Sequence, residues 1–276
     1  MAAATLGEAM RHARGLGLAR LDAELLLAHV CGIPRSRVVA RPEQVLEAAC
    51  GERFLELADR RALGEPLAYL TGRKGFMNIE LEVTADVLIP RPETELLVTT
   101  ALTLPLPERA CVLELGTGSG AIALALAQAR PAWGILATDV SPAALAVAGR
   151  NVSRIAPARV RLIGSDWFAA LAPERFDLLL ANPPYVAAGD PELAADVAAH
   201  EPGLALFAAE AGLADLAALA AAAPERLRPD GFILLEHGHR QGGAVRRLLH
   251  AVGLKQVRSL TDDAAKERVT IARQPP

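Results

Sequence analysis

The stretch Cys111–Ala129, "CVLELGTGSGAIALALAQA", decides the fold. It starts as an apolar run of strand length, passes through Gly116, Gly118 and Gly120, and continues with helical periodicity. Glycines at such a junction allow a tight turn and let a ligand approach the backbone without a Cβ in the way. We therefore predict a strand, a ligand-binding loop and a helix, in that order.

The same alternation of strand and helix continues to the end of the chain. Apolar runs of strand length, "WGILATDV", "RVRLIGSD", "FDLLLAN" and "GFILLEHG", are separated by helical segments, and "QVRSLTD" and "ERVTIARQ" are close enough to pair as a hairpin. This alternation is typical of a parallel sheet covered by helices. We expect an α/β, Rossmann-like fold: a mostly parallel seven-stranded sheet with helices on both faces.

The chain before the sheet has a different character. Residues 1–74 read as a small helical domain, in which "LARLDAELLLAHVCGI" places Leu18, Leu21, Leu25 and either Leu26 or His29 on one helix face. Residues 75–95 alternate apolar and polar side chains and then meet prolines, which predicts a β-hairpin linker. The α/β domain is expected to occupy residues 96–276.

Composition and charge argue against several classes of protein. The net charge is −3, there is no long basic run, and the three cysteines form no CxxC pair. A nucleic-acid binder would carry a cationic footprint, so no direct nucleic-acid partner is expected. We find neither a signal peptide nor an apolar run of membrane-spanning length, and we expect a soluble, cytoplasmic protein with no membrane partner. His237 and His239 lack a cluster of further ligands, so no metal is expected.

Polar residues after the next two strands indicate which ligand the glycine loop binds. Asp139 ends "ILATDV", where a carboxylate can accept both hydroxyls of a ribose, although it could also serve as a helix cap beside the better-placed Ser141. Asp166 could accept from an adenine amino group, and Trp167 could cover the ring or belong to the core. Together these residues predict a nucleoside site, and the glycines alone also fit a nicotinamide dinucleotide.

The sequence "NPPY" at Asn182–Tyr185 distinguishes between these cofactors. A dehydrogenase has no need of an amide followed by two prolines, whereas an enzyme that methylates an amide or an exocyclic amine must hold a planar NH2 group. The Asn182 side-chain oxygen and the Pro183 carbonyl can accept from that group, and prolines stiffen the corner. Tyr185 offers a flat face for stacking.

The chain resembles the protein-(glutamine-N5) methyltransferases of peptide chain release factors, the HemK-like family. The resemblance is carried by "GEPLAYLTGRKGF", "LIPRPETELLV", "LELGTGSGAIALALA", "SDWF", "NPPYV", "EPGLALFAAEAGL" and "LLEHGHRQG", in that order. It implies a methyltransferase fold, S-adenosylmethionine as methyl donor, and the glutamine of the release-factor Gly-Gly-Gln motif as acceptor. It also implies that the helical N-terminal domain docks the release factor.

The residues of the expected site follow from these motifs. The catalytic residues are Asn182, Pro183 and Tyr185, and with Pro184 they would also bind the substrate. The expected cofactor contacts are Gly116, Thr117, Gly118, Ser119, Gly120, Asp139, Asp166, Trp167 and Asn182.

Four other functions remain open on the sequence. A methyltransferase for a ribosomal-protein glutamine or for an exocyclic amine of nucleic acid would share the same corner. A non-catalytic nucleoside-binding protein would keep the fold without turnover. A nicotinamide oxidoreductase would need a proton-transfer residue, which we do not find.

Replacing Asn182 by Ala is expected to abolish methyl transfer while weakening cofactor binding only partly, because the amide holds the acceptor nitrogen. Asp139→Ala is the contrasting variant, expected mainly to weaken cofactor binding. Single-turnover transfer and calorimetric cofactor titration separate the two effects. A normal transfer rate in Asn182→Ala would exclude the amide clamp.

Overall fold

The computed structural model describes residues 5–276, and the chain falls into two compact units. One unit is Met1–Arg73 with Ala195–His200, and the other is Lys74–Ala194 with Glu201–Pro276. The sequence did not predict that a short helix from within the α/β region would group with the N-terminal helices.

The first unit is a set of short helices around an apolar core. Its first helix begins with a capping box, in which the Thr5 hydroxyl accepts from the Glu8 amide at 3.2 Å and the Glu8 carboxylate accepts from the Thr5 amide at 3.1 Å. This arrangement satisfies two backbone donors that a helix start leaves open. The helices are α1 (Leu6–Gly15), α2 (Arg20–Cys31), α3 (Arg35–Ala40), α4 (Ala48–Ala62) and α5 (Leu67–Thr71).

The apolar face expected for α2 is only partly buried: Leu26, one of the alternatives for its fourth position, lies in the core, and Leu18 packs against that core. Leu21, placed on that face by the sequence, is 50% exposed, whereas Ala23, Leu26 and Leu27 are buried in the core of the unit. Apolar residues surround most of this helix, so periodicity alone allowed either face. The buried face is the one that packs with α1 and α4.

A two-stranded antiparallel hairpin follows the helices, as the sequence predicts for the linker. Its strands are β1 (Arg73–Phe76) and β2 (Ile79–Glu82), and Met77 takes a left-handed conformation with φ 48° in the turn between them. A 3-10 turn at Pro92–Thr94 then leads into α6 (Glu95–Thr103).

The second unit is built on the seven-stranded sheet that the sequence predicts. Its strand order is β5-β4-β3-β6-β7-β9-β8, in which β3 to β7 run parallel and the last two strands are antiparallel. The strands are β3 (Cys111–Leu115), β4 (Gly134–Asp139), β5 (Val160–Gly164), β6 (Phe176–Ala181), β7 (Leu227–Glu236), β8 (Lys255–Thr261) and β9 (Glu267–Arg273).

Both faces of the central strands are covered. All six residues of β6 are buried, with Leu178 and Leu180 in one apolar cluster and Leu179 and Ala181 in the other. Burying each leucine stabilises the fold by roughly 1.5–3 kcal/mol, so β6 is a principal source of stability. The remaining helices are α7 (Ala121–Ala129), α8 (Pro142–Ile155), α9 (Ala195–His200), α10 (Gly203–Leu206), α11 (Ala209–Gly212), α12 (Ala214–Arg226) and α13 (Gly242–Ala251).

No helix within residues 5–276 combines the length and the apolar character that crossing a lipid bilayer requires.

Buried Asn151, on α8, connects the hairpin to the glycine loop. Its Oδ1 accepts from the Glu82 amide at 2.8 Å, and its Nδ2 donates to the Glu82 and Ser119 carbonyls, both at 2.9 Å. The side chain therefore completes the backbone hydrogen bonds of two segments that are distant in sequence.

Asn151→Ala is expected to lower the free energy of unfolding by about 1–3 kcal/mol, because it leaves buried backbone groups without partners. Urea denaturation followed by circular dichroism measures the change. Ser153→Ala on the same helix is the control: Ser153 is exposed and bonds only to Gly149 in its own helix. Equal losses in both variants would contradict this role for Asn151.

Candidate functional site

The site lies where the strand order reverses. β3 is followed in sequence by β4 on one side but pairs with β6 on the other, so a crevice forms at the carboxyl ends of these strands. A cavity of about 360 Å³ opens there. Its lining includes Glu114 of β3, Asp139 of β4 and residues of the loops that follow β3, β4, β5 and β6.

The glycine loop after β3 has the backbone geometry that only glycine adopts readily. Gly116, Gly118 and Gly120 have φ of 74°, 54° and 84°, in the left-handed region. The amides of Gly116 and Thr117 both donate to the Thr138 carbonyl, at 2.9 and 2.8 Å. The loop is thereby held against the end of β4, and four of its five residues, all but Gly120, line the cavity.

Asp139 ends β4 beside this loop and is held by backbone donors. Its Oδ2 accepts from the Gly118 amide at 2.8 Å, and its Oδ1 accepts from the Ser141 amide at 2.9 Å. Each oxygen retains a lone pair for a ligand hydroxyl. Ser141, and not Asp139, caps α8 by accepting from the Ala144 amide at 3.2 Å, as the sequence favoured.

Glu114 lies under the glycine loop, and the sequence analysis did not identify it as a site residue. It is 1% exposed, and its Oε2 accepts from the Thr117 hydroxyl at 2.8 Å and from the Ala123 amide at 3.0 Å. Burial raises the pKa of Glu114 to about 8, although both donors act to lower it, and nearby Asp139 raises it further. Its Oε1 has no partner within the described residues. The only signal in the sequence was a carboxylate inside an apolar strand.

Asp166 and Trp167 both line the cavity. Asp166 is exposed, and Trp167 has a left-handed φ of 43° that turns its ring towards the glycine loop. A methyl group built on Gly116 would lie 3.5 Å from Cζ3 of Trp167. Burial raises the pKa of Asp215, another lining residue, and the Trp167 indole acts to lower it. The sequence allowed Trp167 either to cover a ligand ring or to belong to the core. In the structure its ring borders the cavity and also packs against the second apolar cluster.

The residues of the "NPPY" corner do not all reach the cavity. Asn182 and Pro184 line it, whereas Pro183 is buried and Tyr185 is half-buried behind them. The Tyr185 hydroxyl donates to Oε1 of Glu236 at 3.3 Å, and the Asn182 Nδ2 donates to Oγ1 of Thr94 at 3.2 Å.

Gln241 fixes the chain beyond this corner. Its Nε2 donates to the Tyr185 carbonyl at 3.0 Å, and its Oε1 accepts from the Gly238 amide at 2.9 Å. Gly212, with φ 82°, packs so closely that a Cβ on it would lie 2.1 Å from the Tyr185 carbonyl oxygen. Gln241 and Gly212 therefore both fix the position of the backbone at Tyr185.

Arg91, which follows Pro90 at the end of the linker, also lines the cavity. It forms an ion pair with Glu201, whose side chain is fully buried, and Glu201 also accepts from the Ile89 amide at 3.1 Å. This pair holds the segment before α6 in place. Arg91 is the only basic lining residue, whereas five acidic side chains line the cavity: Asp86, Glu114, Asp139, Asp166 and Asp215.

The two histidines after β7 both contact polar side chains of the same unit. His237 is fully buried, and its Nε2 hydrogen-bonds to the Thr270 hydroxyl at 2.8 Å, while burial lowers its pKa. His239 lies 3.8 Å from Glu192. Across the described chain, no three His, Cys, Asp or Glu side chains are grouped as a metal ion requires.

Comparison with known proteins places both parts of the chain in described families. Residues 3–72 match the family described as PrmC N-terminal domain, and residues 92–200 match the family described as Methyltransferase small domain. A methyltransferase domain implies a methyl donor.

The chain is also similar to full-length proteins. It is 47% identical over 253 residues to the release factor glutamine methyltransferase of Pseudomonas aeruginosa, covering 92% of each chain. It is 46% identical over 269 residues to that of Burkholderia pseudomallei, covering 95% of this chain and 94% of the relative. A methyltransferase structure from Pyrococcus furiosus shares the fold, with a TM-score of 0.57, 18% identity, and coverage of 79% and 100%.

Glu114→Gln is expected to remove a pH dependence of stability. With a pKa of about 8 in the folded protein and about 4.3 when unfolded, Glu114 holds a proton in the folded state that the unfolded chain releases. Its stabilisation is complete below about pH 4.3 and is lost as pH rises through about 8. Denaturation of both proteins from pH 5 to 9 should show the wild type losing stability relative to the variant. Parallel curves would rule out this titration.

Proposed function

Because the chain belongs to the release factor glutamine methyltransferase family, we propose that it methylates peptide chain release factors. The methyl group goes from S-adenosylmethionine to the side-chain amide nitrogen, N5, of the glutamine in the Gly-Gly-Gln motif. The observation that carries this proposal is near full-length similarity to relatives of that name, at 47% and 46% identity.

The cavity fits S-adenosylmethionine better than a dinucleotide. Among the described residues, its lining carries four aspartates against one arginine, which suits a ligand with a sulfonium and an ammonium group, whereas the buried Glu114 holds its proton up to about pH 8. A pyrophosphate would need free amides at the start of α7, but the Ala123 amide already donates to Glu114. The glycine loop, Asp139, Asp166 and Trp167 are the residues we assign to this cofactor.

The protein's own residues act by orienting the acceptor. S-adenosylmethionine supplies the methyl group as an electrophilic sulfonium. The Oδ1 of Asn182 and the carbonyl of Pro183 accept from the glutamine NH2, which aims the nitrogen lone pair along the line of transfer. Tyr185 and Pro184 would stack on the planar amide, and solvent takes the proton after transfer.

We assign the remaining parts of the chain to substrate docking. Residues 1–74, which include the match to the PrmC N-terminal domain, would bind the release factor, and residues 75–95 would link them to the catalytic domain of residues 96–276. The proposed substrate acts in translation, so we place the enzyme in the cytoplasm.

Intact-mass analysis of a purified release factor incubated with the protein and S-adenosylmethionine tests the reaction. We expect a gain of one methyl group, which peptide mapping should place on the Gly-Gly-Gln glutamine. Asn182→Ala, checked for cofactor binding, is the matched control and should give no gain. Methylation of a ribosomal-protein glutamine or of a nucleic-acid amine instead would replace the proposal with one of the other acceptors.

A further inference from the structure

The second unit exposes few large apolar side chains, and those that it exposes lie at the cavity. Among its described residues they are Val140, Leu204 and Phe207, which are 52%, 65% and 39% exposed, and all three line the cavity. One exposed leucine is ordinary on a protein surface, whereas several apolar side chains around one opening mark a binding site. Val140 directly follows Asp139, which we assign to the cofactor, so Leu204 and Phe207 remain to be explained.

Both of these side chains belong to the segment of α10, which lies beside the chain that leaves the "NPPY" corner. Val186 follows that corner. Its amide donates to the Leu206 carbonyl at 2.9 Å, and its carbonyl accepts from the Ala208 amide at 3.0 Å. Phe207 is therefore paired with Val186, next to the residues that we assign to the methyl acceptor.

The segment of α10 is held in place before any ligand binds. Just before it, the buried Glu201 forms an ion pair with Arg91 and accepts from the Ile89 amide at 3.1 Å. The Phe207 ring packs on Gly203, since a Cβ built on that glycine would lie 3.6 Å from Cδ2 of the ring. A ligand that meets this surface does not have to order it first, which favours binding.

The size of the cavity places the main chain of the acceptor at its mouth. About 360 Å³ is near the lower end of the roughly 300–1,000 Å³ that small-molecule pockets span. This space must hold S-adenosylmethionine and the end of the glutamine side chain, so the neighbouring main chain stays outside. Leu204 and Phe207 line the cavity and are also exposed to solvent, which puts them at the mouth where that main chain arrives.

We infer that Leu204 and Phe207 form an apolar rim of the acceptor site, which selects a glutamine preceded by glycine. The inference rests on the proposed function, because the acceptor named there carries two glycines before the glutamine. A glycine has no Cβ, so its backbone can lie directly on the two side chains of the apolar rim, whereas a larger residue at that position must displace them. The apolar rim also offers the substrate NH2 group no competing hydrogen-bond partner, so Asn182 and Pro183 remain its acceptors.

The test measures how strongly the enzyme prefers glycine before the glutamine. Two acceptors are compared: the native release factor, and the same factor with alanine in place of the glycine that directly precedes the glutamine. For the wild-type protein we expect kcat/KM to be at least about 30-fold lower with the alanine acceptor, which is within the range that one added methyl group produces in a fitted site.

The double variant Leu204→Ala with Phe207→Ala removes the apolar rim. It should lower kcat/KM for the native acceptor less than about 10-fold and reduce the preference for glycine to less than about 3-fold. Leu204→Met keeps the bulk of the side chain and should retain the preference. Val257→Ala is the matched control, because it shortens a half-buried apolar side chain on β8, the strand at the far end of the sheet order.

Two binding measurements without turnover separate the acceptor from the cofactor. The Kd for S-adenosylmethionine, measured by calorimetry, should change less than about 3-fold in the double variant. The methyl signals of Leu204 in 13C-resolved NMR are assigned by their loss in Leu204→Ala. They should shift when the release factor is added to protein saturated with S-adenosylhomocysteine, and shift less when that cofactor product is added alone.

Each outcome decides a different point. A wild-type protein that uses both acceptors equally, or a double variant that keeps the full preference for glycine, would overturn the apolar rim and leave the proposed function in place. A cofactor Kd that rises more than about 10-fold in the double variant, or Leu204 signals that respond only to the cofactor, would assign these side chains to the cofactor instead. A wild-type protein that transfers no methyl group to the native release factor would overturn the proposed function and this inference together.

Discussion

The parallel register of β3, β6 and β7 is the constraint on which the site depends. It sets Leu115 beside Ala181 and Ala181 beside Leu235. The next residue of each strand is then Gly116, Asn182 or Glu236, and all three emerge at one edge of the sheet. A slip of one residue would turn each side chain to the opposite face and separate the loop, the amide and the carboxylate.

Two buried carboxyl groups, Glu114 and Glu236, occupy the same face of the sheet on either side of β6. Burial raises the pKa of both, and each receives a hydrogen bond from a hydroxyl, that of Thr117 in one case and that of Tyr185 in the other. An apolar side chain at either position would stabilise the core more. Instead, the two carboxyl groups hold in place the two structures that border the cavity: Glu114 holds the glycine loop, and Glu236 holds the "NPPY" corner.

The sheet could be predicted because each of its strands is a short apolar run bounded by turns, a signal that lies within a few residues. The site residues that sequence reasoning missed depend on contacts between distant segments: Thr94 meets Asn182 across 88 positions. Nothing in the neighbouring sequence distinguishes Glu236, a buried carboxylate at a strand end, from a solvent-exposed one. The grouping of residues 195–200 with the N-terminal helices had no local signal either. The cofactor and substrate contacts of Asp139, Asp166 and Tyr185 stay predictions.

The proline after Asn182 also affects how the protein ages. Asparagine side chains in proteins convert slowly to aspartate when the backbone nitrogen of the following residue attacks the amide carbon and closes a five-membered imide. Pro183 has no N–H and cannot close that ring as a neutral imide. The dipeptide that stiffens the corner therefore also closes the imide route by which the Asn182 amide would be converted to a carboxylate.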